Sequence, residues 1–166
     1  MAKVTFKGSP VTLIGSELNK GDQAPNFTAL DTDLQENSLG HYQGSVRVIS
    51  VVPSVDTGVC AQQTRRFNEE AANLDNVQVL TISADLPFAQ KRWCAAEGIE
   101  NLTMLSDHRD FSFAEAFGIG IQEMRLLARG VFVLDSNGRV TYAEYVPEAT
   151  EHPDYDAAIA AAKETE

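Results

Sequence analysis

The run Arg47-Val48-Ile49-Ser50-Val51-Val52, stopped at once by Pro53, constrains the fold more than any other stretch of the chain. β-Branched residues are stiff at χ1 and suit a pleated strand. A run that is apolar at consecutive positions, not only alternate ones, suits a strand buried on both faces. Val77-Gln78-Val79-Leu80-Thr81-Ile82 reads as the next strand. Between the two, Cys60, Thr64, Phe67, Ala71 and Leu74 recur at intervals of 4, 3, 4 and 3, which places them on one face of a helix from about Val59 to Leu74. Strand, helix and strand in this order require parallel pairing through a right-handed crossover, with helices on the faces of the sheet.

A second helix follows, with Asp85 as its expected N-cap, Pro87 in its first turn and Gly98 just past its end. Leu86, Ala89, Trp93 and Ala96 form its apolar stripe, and Cys94 lies at the edge of that stripe. Thr103 to Leu105 reads as a short strand, and Phe111 to Phe117 as a short helix ended by Gly118. Val131 to Leu134 and Val140 to Tyr145 flank Asp135-Ser136-Asn137-Gly138, and Asn-Gly between two strand patterns signals a hairpin. The last helix starts near Pro153, with Asp154 and Asp156 in its first turn, Lys163 near its end, and an inner face of Tyr155, Ala158, Ile159 and Ala162. At the other end, Val4-Thr5-Phe6 and Val11-Thr12-Leu13 flank the turn residues Lys7 to Pro10, and Asn26 to Leu30 is a further short strand. The order predicts one α/β domain over residues 1–166, a thioredoxin-like fold with an N-terminal β-hairpin extension. Fold alone assigns no function.

Charge narrows the partners. A net charge of −11, from 13 basic and 24 acidic residues, repels nucleic acid and anionic lipid. No run approaches the ~20 apolar residues of a membrane helix. Met1 to Lys7 has no apolar core of signal-peptide length, so the expected location is cytoplasmic. In a reducing compartment a lone pair of cysteines, Cys60 and Cys94, is more often catalytic than structural. His41, His108 and His152 are scattered without ligand spacing, so no metal site is expected. Gly118-Ile119-Gly120 follows a helix and reads as helix termination, not as part of a nucleotide loop. Phe88, Trp93, Phe111, Phe113 and Phe117 read mostly as core.

Cys60 falls where strand gives way to helix. Unpaired N–H groups and the helix dipole favour negative charge there, and the thiolate is the reactive form of cysteine. Pro53 ends the strand and stiffens the loop. Thr57, three residues before Cys60, can direct its hydroxyl toward the sulfur or toward a bound oxygen. Arg65 and Arg66 lie too far along the helix to help, whereas Arg129, just ahead of the Val131 strand, suits the role of cation if that strand is central. Each residue also has a plain packing reading: a buried cysteine on an apolar face, a small neighbour for Trp93, a surface arginine.

The segment Pro53-Ser54-Val55-Asp56-Thr57-Gly58-Val59-Cys60 resembles the peroxiredoxin signature of Pro, Thr and Cys at these spacings. It is most similar to the thiol peroxidase subfamily, of the atypical two-cysteine type. Ile82 to Gln90 (Ile-Ser-Ala-Asp-Leu-Pro-Phe-Ala-Gln), the following Cys94, and Leu126-Leu127-Ala128-Arg129 match that subfamily too. The likeness runs from the hairpin at Val4 to Pro153-Asp154-Tyr155. It implies that Cys60 is the peroxidatic cysteine and Cys94 the resolving one. Arg129, Thr57 and Pro53 would complete the pocket. It also implies a homodimer, reduction by thioredoxin, and no metal, haem or flavin.

On this reading Cys60 attacks a hydroperoxide, and its sulfenic acid condenses with Cys94 to a disulfide. The two α-carbons must then approach within about 7 Å. Rigid, separately packed helices oppose that, so local unwinding of the Cys60 turn or of the Cys94 helix is expected. Two other classes stay open from the residues: a dithiol–disulfide oxidoreductase, whose Cys-x-x-Cys is replaced by Gln63 here, and a redox sensor.

Overall fold

The computed structural model describes residues 3–71, 74–98 and 103–165. Its elements are β1 (Val4–Phe6), β2 (Ser9–Val11), β3 (Leu13–Ile14), β4 (Thr28–Leu30), β5 (Glu36–Ser38) and a 3-10 turn (Leu39–Tyr42). Then come β6 (Val46–Val51), α1 (Gly58–Glu70), β7 (Val77–Ser83), α2 (Pro87–Glu97) and β8 (Thr103–Ser106). The chain continues with α3 (Ser112–Ala116), β9 (Gly120–Ile121), β10 (Leu126–Leu127), β11 (Gly130–Leu134), β12 (Val140–Tyr145) and α4 (Tyr155–Thr165).

The main sheet has seven strands in the order β12-β11-β6-β7-β8-β4-β5. β6, β7 and β8 are parallel, with Val46 beside Val77 and Leu80 beside Thr103. β11 runs antiparallel to β6, with Gly130 beside Val51. All six residues of β6 are buried, as its unbroken apolar run predicts. Alternate residues serve opposite faces. Val48, Val79, Val131 and Val133 pack against Phe67 of α1 and against Tyr155, Ala158, Ile159 and Ala162 of α4. Ile49, Val51, Leu80, Ile82, Leu105 and Phe132 pack against Phe113, Phe117 and the small sheet β10-β9-β3. Each Val, Leu, Ile or Phe side chain fully buried among these contributes roughly 1.5–3 kcal/mol. This is the α/β thioredoxin-like layout, with the β1–β2 hairpin added.

Several boundaries differ from expectation for local reasons. The N-terminal hairpin closes on two residues, Lys7 and Gly8, both at positive φ (51° and 81°), so its second strand is Ser9–Val11, with Leu13 in another sheet. α1 stops at Glu70, short of Leu74, and residues 72–73 lie outside the described set. α2 begins at Pro87 with Leu86 at the N-cap and ends at Gly98 in the left-handed region. Asp85 is not its cap, because the Asp85 carboxylate is taken by other donors described below. The buried face of α2 is Pro87, Gln90 and Trp93, so Leu86 and Ala96 face outward. Phe88 is 68% exposed, contrary to the core reading. Asp154 precedes α4 as its cap, its carboxylate accepting from Ala157 N–H at 3.1 Å.

Candidate active site

The topology brings three chain segments to one end of the sheet. α1 starts just past the C-terminal end of β6, and antiparallel pairing sets the start of β11 beside that same end. Arg129, immediately before β11, therefore meets Cys60 in the first turn of α1.

Thr57 is the N-cap of α1, in extended conformation (φ −104°, ψ 150°). Its Oγ1 accepts from the Cys60 N–H at 3.4 Å and donates to Ser54 O at 3.4 Å. The hydroxyl, expected to turn toward the sulfur or toward a bound oxygen, instead caps the helix here, while Thr57 still lines the pocket described below. Cys60 is 0% exposed, and its Sγ lies 3.1 Å from Arg129 Nη2. Arg129 is 2% exposed, and each of its three nitrogens donates one hydrogen bond. Nη1 donates to Gln63 Oε1 at 2.9 Å, and Nε donates to Ala149 O at 2.9 Å. None of these partners is a carboxylate, so the guanidinium charge is left to act on sulfur and on whatever approaches it.

Gln63 was missed from the sequence. It is fully buried, and its amide donates to Ser50 Oγ at 2.9 Å and Val51 O at 3.3 Å, anchoring the guanidinium to β6. The available signal was its position three residues after Cys60, a polar side chain on the inward face of an amphipathic helix. The Ala149 carbonyl gave no sequence signal. Its loop is held by the Glu148 carboxylate, which accepts from Thr5 Oγ1, Gly8 N–H and Thr150. Those bonds, led by the Thr150 hydroxyl, hold the Glu148 carboxyl down at about 2.

A pocket of roughly 240 Å³ opens over Arg129, with the buried Cys60 sulfur reached through the guanidinium and not part of the lining. Its walls are Phe6 and Lys7 from the hairpin, Pro53 and Thr57 to Val59 from the loop and helix start, and Arg129, Ala149 and Thr150. The lining is mostly apolar, with Arg129 as the buried cation. Pro53, Thr57, Cys60 and Arg129 thus converge.

Cys94 does not join them. It is half-buried on α2, packed with Trp93, Met104, Val55 and Ala61, with its Sγ 3.3 Å from Met104 Sδ. Burial pushes its thiol up from the ordinary value. Ala61 follows Cys60 directly, so Cys94 abuts the flank of α1 while the Cys60 sulfur faces Arg129. Both thiols are free. Ion pairs brace the arrangement: Arg65 with Glu97, and Arg92 with Asp56 at 3.3 Å.

Residues 19–159 match the Redoxin family model. A thiol peroxidase of Bacillus subtilis is 66% identical over 163 residues, covering 98% of each chain, and one of Halalkalibacterium halodurans is 64% identical with the same coverage. Among solved structures, a peroxiredoxin-like protein from Aquifex aeolicus superposes with a TM-score of 0.93 at 44% identity, covering 100% of this chain and 98% of that one. Thiol peroxidase from Chromobacterium violaceum, 23% identical, shares the fold with a TM-score of 0.86 over 98% and 96% of the two chains. With these likenesses and this cysteine pocket, the chain belongs to the Redoxin family, among its peroxiredoxin-type peroxidases.

Proposed function

We propose that Cys60 is the peroxidatic cysteine, that Cys94 resolves it, and that thioredoxin restores the pair. The observation that carries the reading is the 3.1 Å contact from Arg129 Nη2 to the buried Cys60 Sγ at the first turn of α1. A guanidinium N–H aimed at sulfur stabilises negative charge there, and the helix start adds to it. The Cys60 thiolate attacks one peroxide oxygen in line, the O–O bond breaks, and the second oxygen leaves with the bonding pair. Taking up a proton, that oxygen becomes water from hydrogen peroxide or an alcohol from an organic hydroperoxide. Arg129 is poised to stabilise the charge that develops on the leaving oxygen, which is where such a donor lowers the barrier. Thr57 holds the helix start, and Pro53 forms part of the mostly apolar wall.

The Cys60 sulfenic acid then condenses with the Cys94 thiol, forming the S–S bond and releasing water. A thioredoxin dithiol reduces that disulfide and is itself oxidised. The enzyme on this reading works as a homodimer in the cytoplasm, as part of antioxidant defence. The apolar lining of the pocket supports organic hydroperoxides as substrates beside hydrogen peroxide.

The test follows NADPH oxidation with peroxide, thioredoxin and thioredoxin reductase. Turnover is expected for the native chain and none for Cys60→Ser. Cys94→Ser is expected to oxidise once, rapidly, and then stall. A single oxidation no faster than that of a free cysteine would sink the reading. One stoichiometric oxidation of the native chain without recycling would favour a redox sensor instead.

A further inference from the structure

One carboxylate links the two cysteine-bearing elements. Asp85 lies between the end of β7 and the start of α2. Its Oδ1 accepts from Ser54 Oγ at 2.9 Å, and its Oδ2 accepts from Val55 N–H at 2.9 Å and Ser83 Oγ at 2.7 Å. Ser54 and Val55 follow Pro53 and begin the loop that delivers Cys60. On the other side, Ser83 Oγ accepts from Gln90 Nε2 at 3.0 Å. Gln90 is fully buried on α2, the helix of Cys94, and also donates to Leu105 O at 3.0 Å. A continuous hydrogen-bonded chain therefore runs from the Cys94 helix to the Cys60 loop, with its charged link at Asp85. Bonds to an ionised acceptor are about twice as strong as neutral ones, and this acceptor has three donors.

We infer that Asp85 is a positioning residue that sets the balance between the folded Cys60 turn and the opened turn in which Cys60 reaches Cys94. The inference rests on the roles proposed above for the two cysteines. A disulfide needs α-carbons within about 7 Å, whereas the Cys60 sulfur faces Arg129 and the Cys94 sulfur faces Met104. Cys60 must leave Arg129, and the loop before it cannot swing while Asp85 holds both the Val55 amide and the Ser54 hydroxyl. The folded turn dominates, so weakening the latch multiplies the scarce opened form and hardly depletes the folded one. Disulfide formation then accelerates, while peroxide attack is nearly unchanged.

Rapid mixing of the reduced chain with hydrogen peroxide tests this, read by the fluorescence of Trp93, the single tryptophan, which packs beside Cys94. The first phase scales with peroxide and reports sulfenic acid; the second is independent of peroxide and reports the disulfide. In Asp85→Asn an amide replaces one acceptor oxygen. Loss of one or two charge-assisted bonds is expected to speed the second phase about tenfold, with the first within about threefold of native. The peroxide concentration that over-oxidises half of Cys60 to sulfinic acid should rise by the same factor as the second phase, because resolution competes with a second peroxide. Ser54→Ala, which leaves the carboxylate in place, is expected to act in the same direction by a smaller factor and keeps the test open should Asp85→Asn not fold. A second phase unchanged or slowed in the folded variants overturns the inference, as does equal slowing of both phases, which marks a merely structural role. If instead the native chain shows no second phase that Cys94→Ser removes, the fault lies in the assignment of the cysteines.

Discussion

Replacing Arg129 separates the chemistry of the site from its packing. The side chain makes three hydrogen bonds: to Cys60 Sγ at 3.1 Å, to Gln63 Oε1 at 2.9 Å and to Ala149 O at 2.9 Å. In Arg129→Met the charge and all three donors disappear while much of the apolar bulk remains. Removing one preorganised donor from a developing anion costs on the order of 10²–10³-fold in rate, about 2.7–4 kcal/mol. A loss in that range is expected in the second-order rate of Cys60 oxidation. Stability should fall less. Two buried acceptors are orphaned at about 1–3 kcal/mol each, offset by relief from burying a guanidinium without a carboxylate partner, for a net loss of about 2 kcal/mol. Arg129→Lys keeps the charge on a single nitrogen that cannot span all three acceptors, and is expected to recover about a tenth of native activity. The assay is single-turnover oxidation of the reduced chain under rapid mixing, with urea unfolding of the same samples. An Arg129→Met rate within about threefold of native would refute the electrostatic account. So would a rate loss that simply tracks lost stability.

Two further predictions concern the scaffold. Burial pushes the Asp107 carboxyl up to about 6, against the backbone N–H bonds it accepts from Phe113 and Ala114 at the start of α3. Between about pH 4 and 6 the folded chain holds a proton that the unfolded chain has released, so this group's contribution to stability is largest below about pH 4. It falls by roughly 2–3 kcal/mol as pH rises through 6. Urea midpoints across that window should show the decline, and Asp107→Asn should flatten it; a native profile that rises instead refutes it. At Gly118, φ is +62° and an added Cβ would stand 2.3 Å from the Ser16 carbonyl oxygen. Gly118→Ala is therefore expected to cost about 2–4 kcal/mol in urea unfolding, and a cost below about 0.5 kcal/mol would show that the backbone there yields freely.

How much of this was legible depends on how local each cause is. The start of α1 was readable because Pro53 stops the apolar run of β6 and the apolar helical face begins at Cys60, whereas the cap at Thr57 emerged only from the fold. β6 was readable because burial on both faces leaves its mark at every position. The face of α2 was misassigned, since Leu86 and Ala96 are apolar yet exposed, while polar Gln90 is buried with partners in β7 and β8. Strands of two or three residues such as β5, β9 and β10 are too short to carry a period.

The sequence by itself determined the candidate reactive segment, the two cysteines, the parallel core strands and the family resemblance, because these rest on local motifs, periodicity and spacing. Tertiary structure decided which atoms meet. Arg129 reaches Cys60 only because β11 lies antiparallel on β6, and it stays there because Gln63 and Ala149 hold its other donors. Asp85, by pattern a helix cap, becomes the link between the two cysteine elements because folding brings Ser54 and Val55 within its reach. Hydrogen bonds between residues distant along the chain leave no period or spacing to read, so they can be known only once the chain is folded.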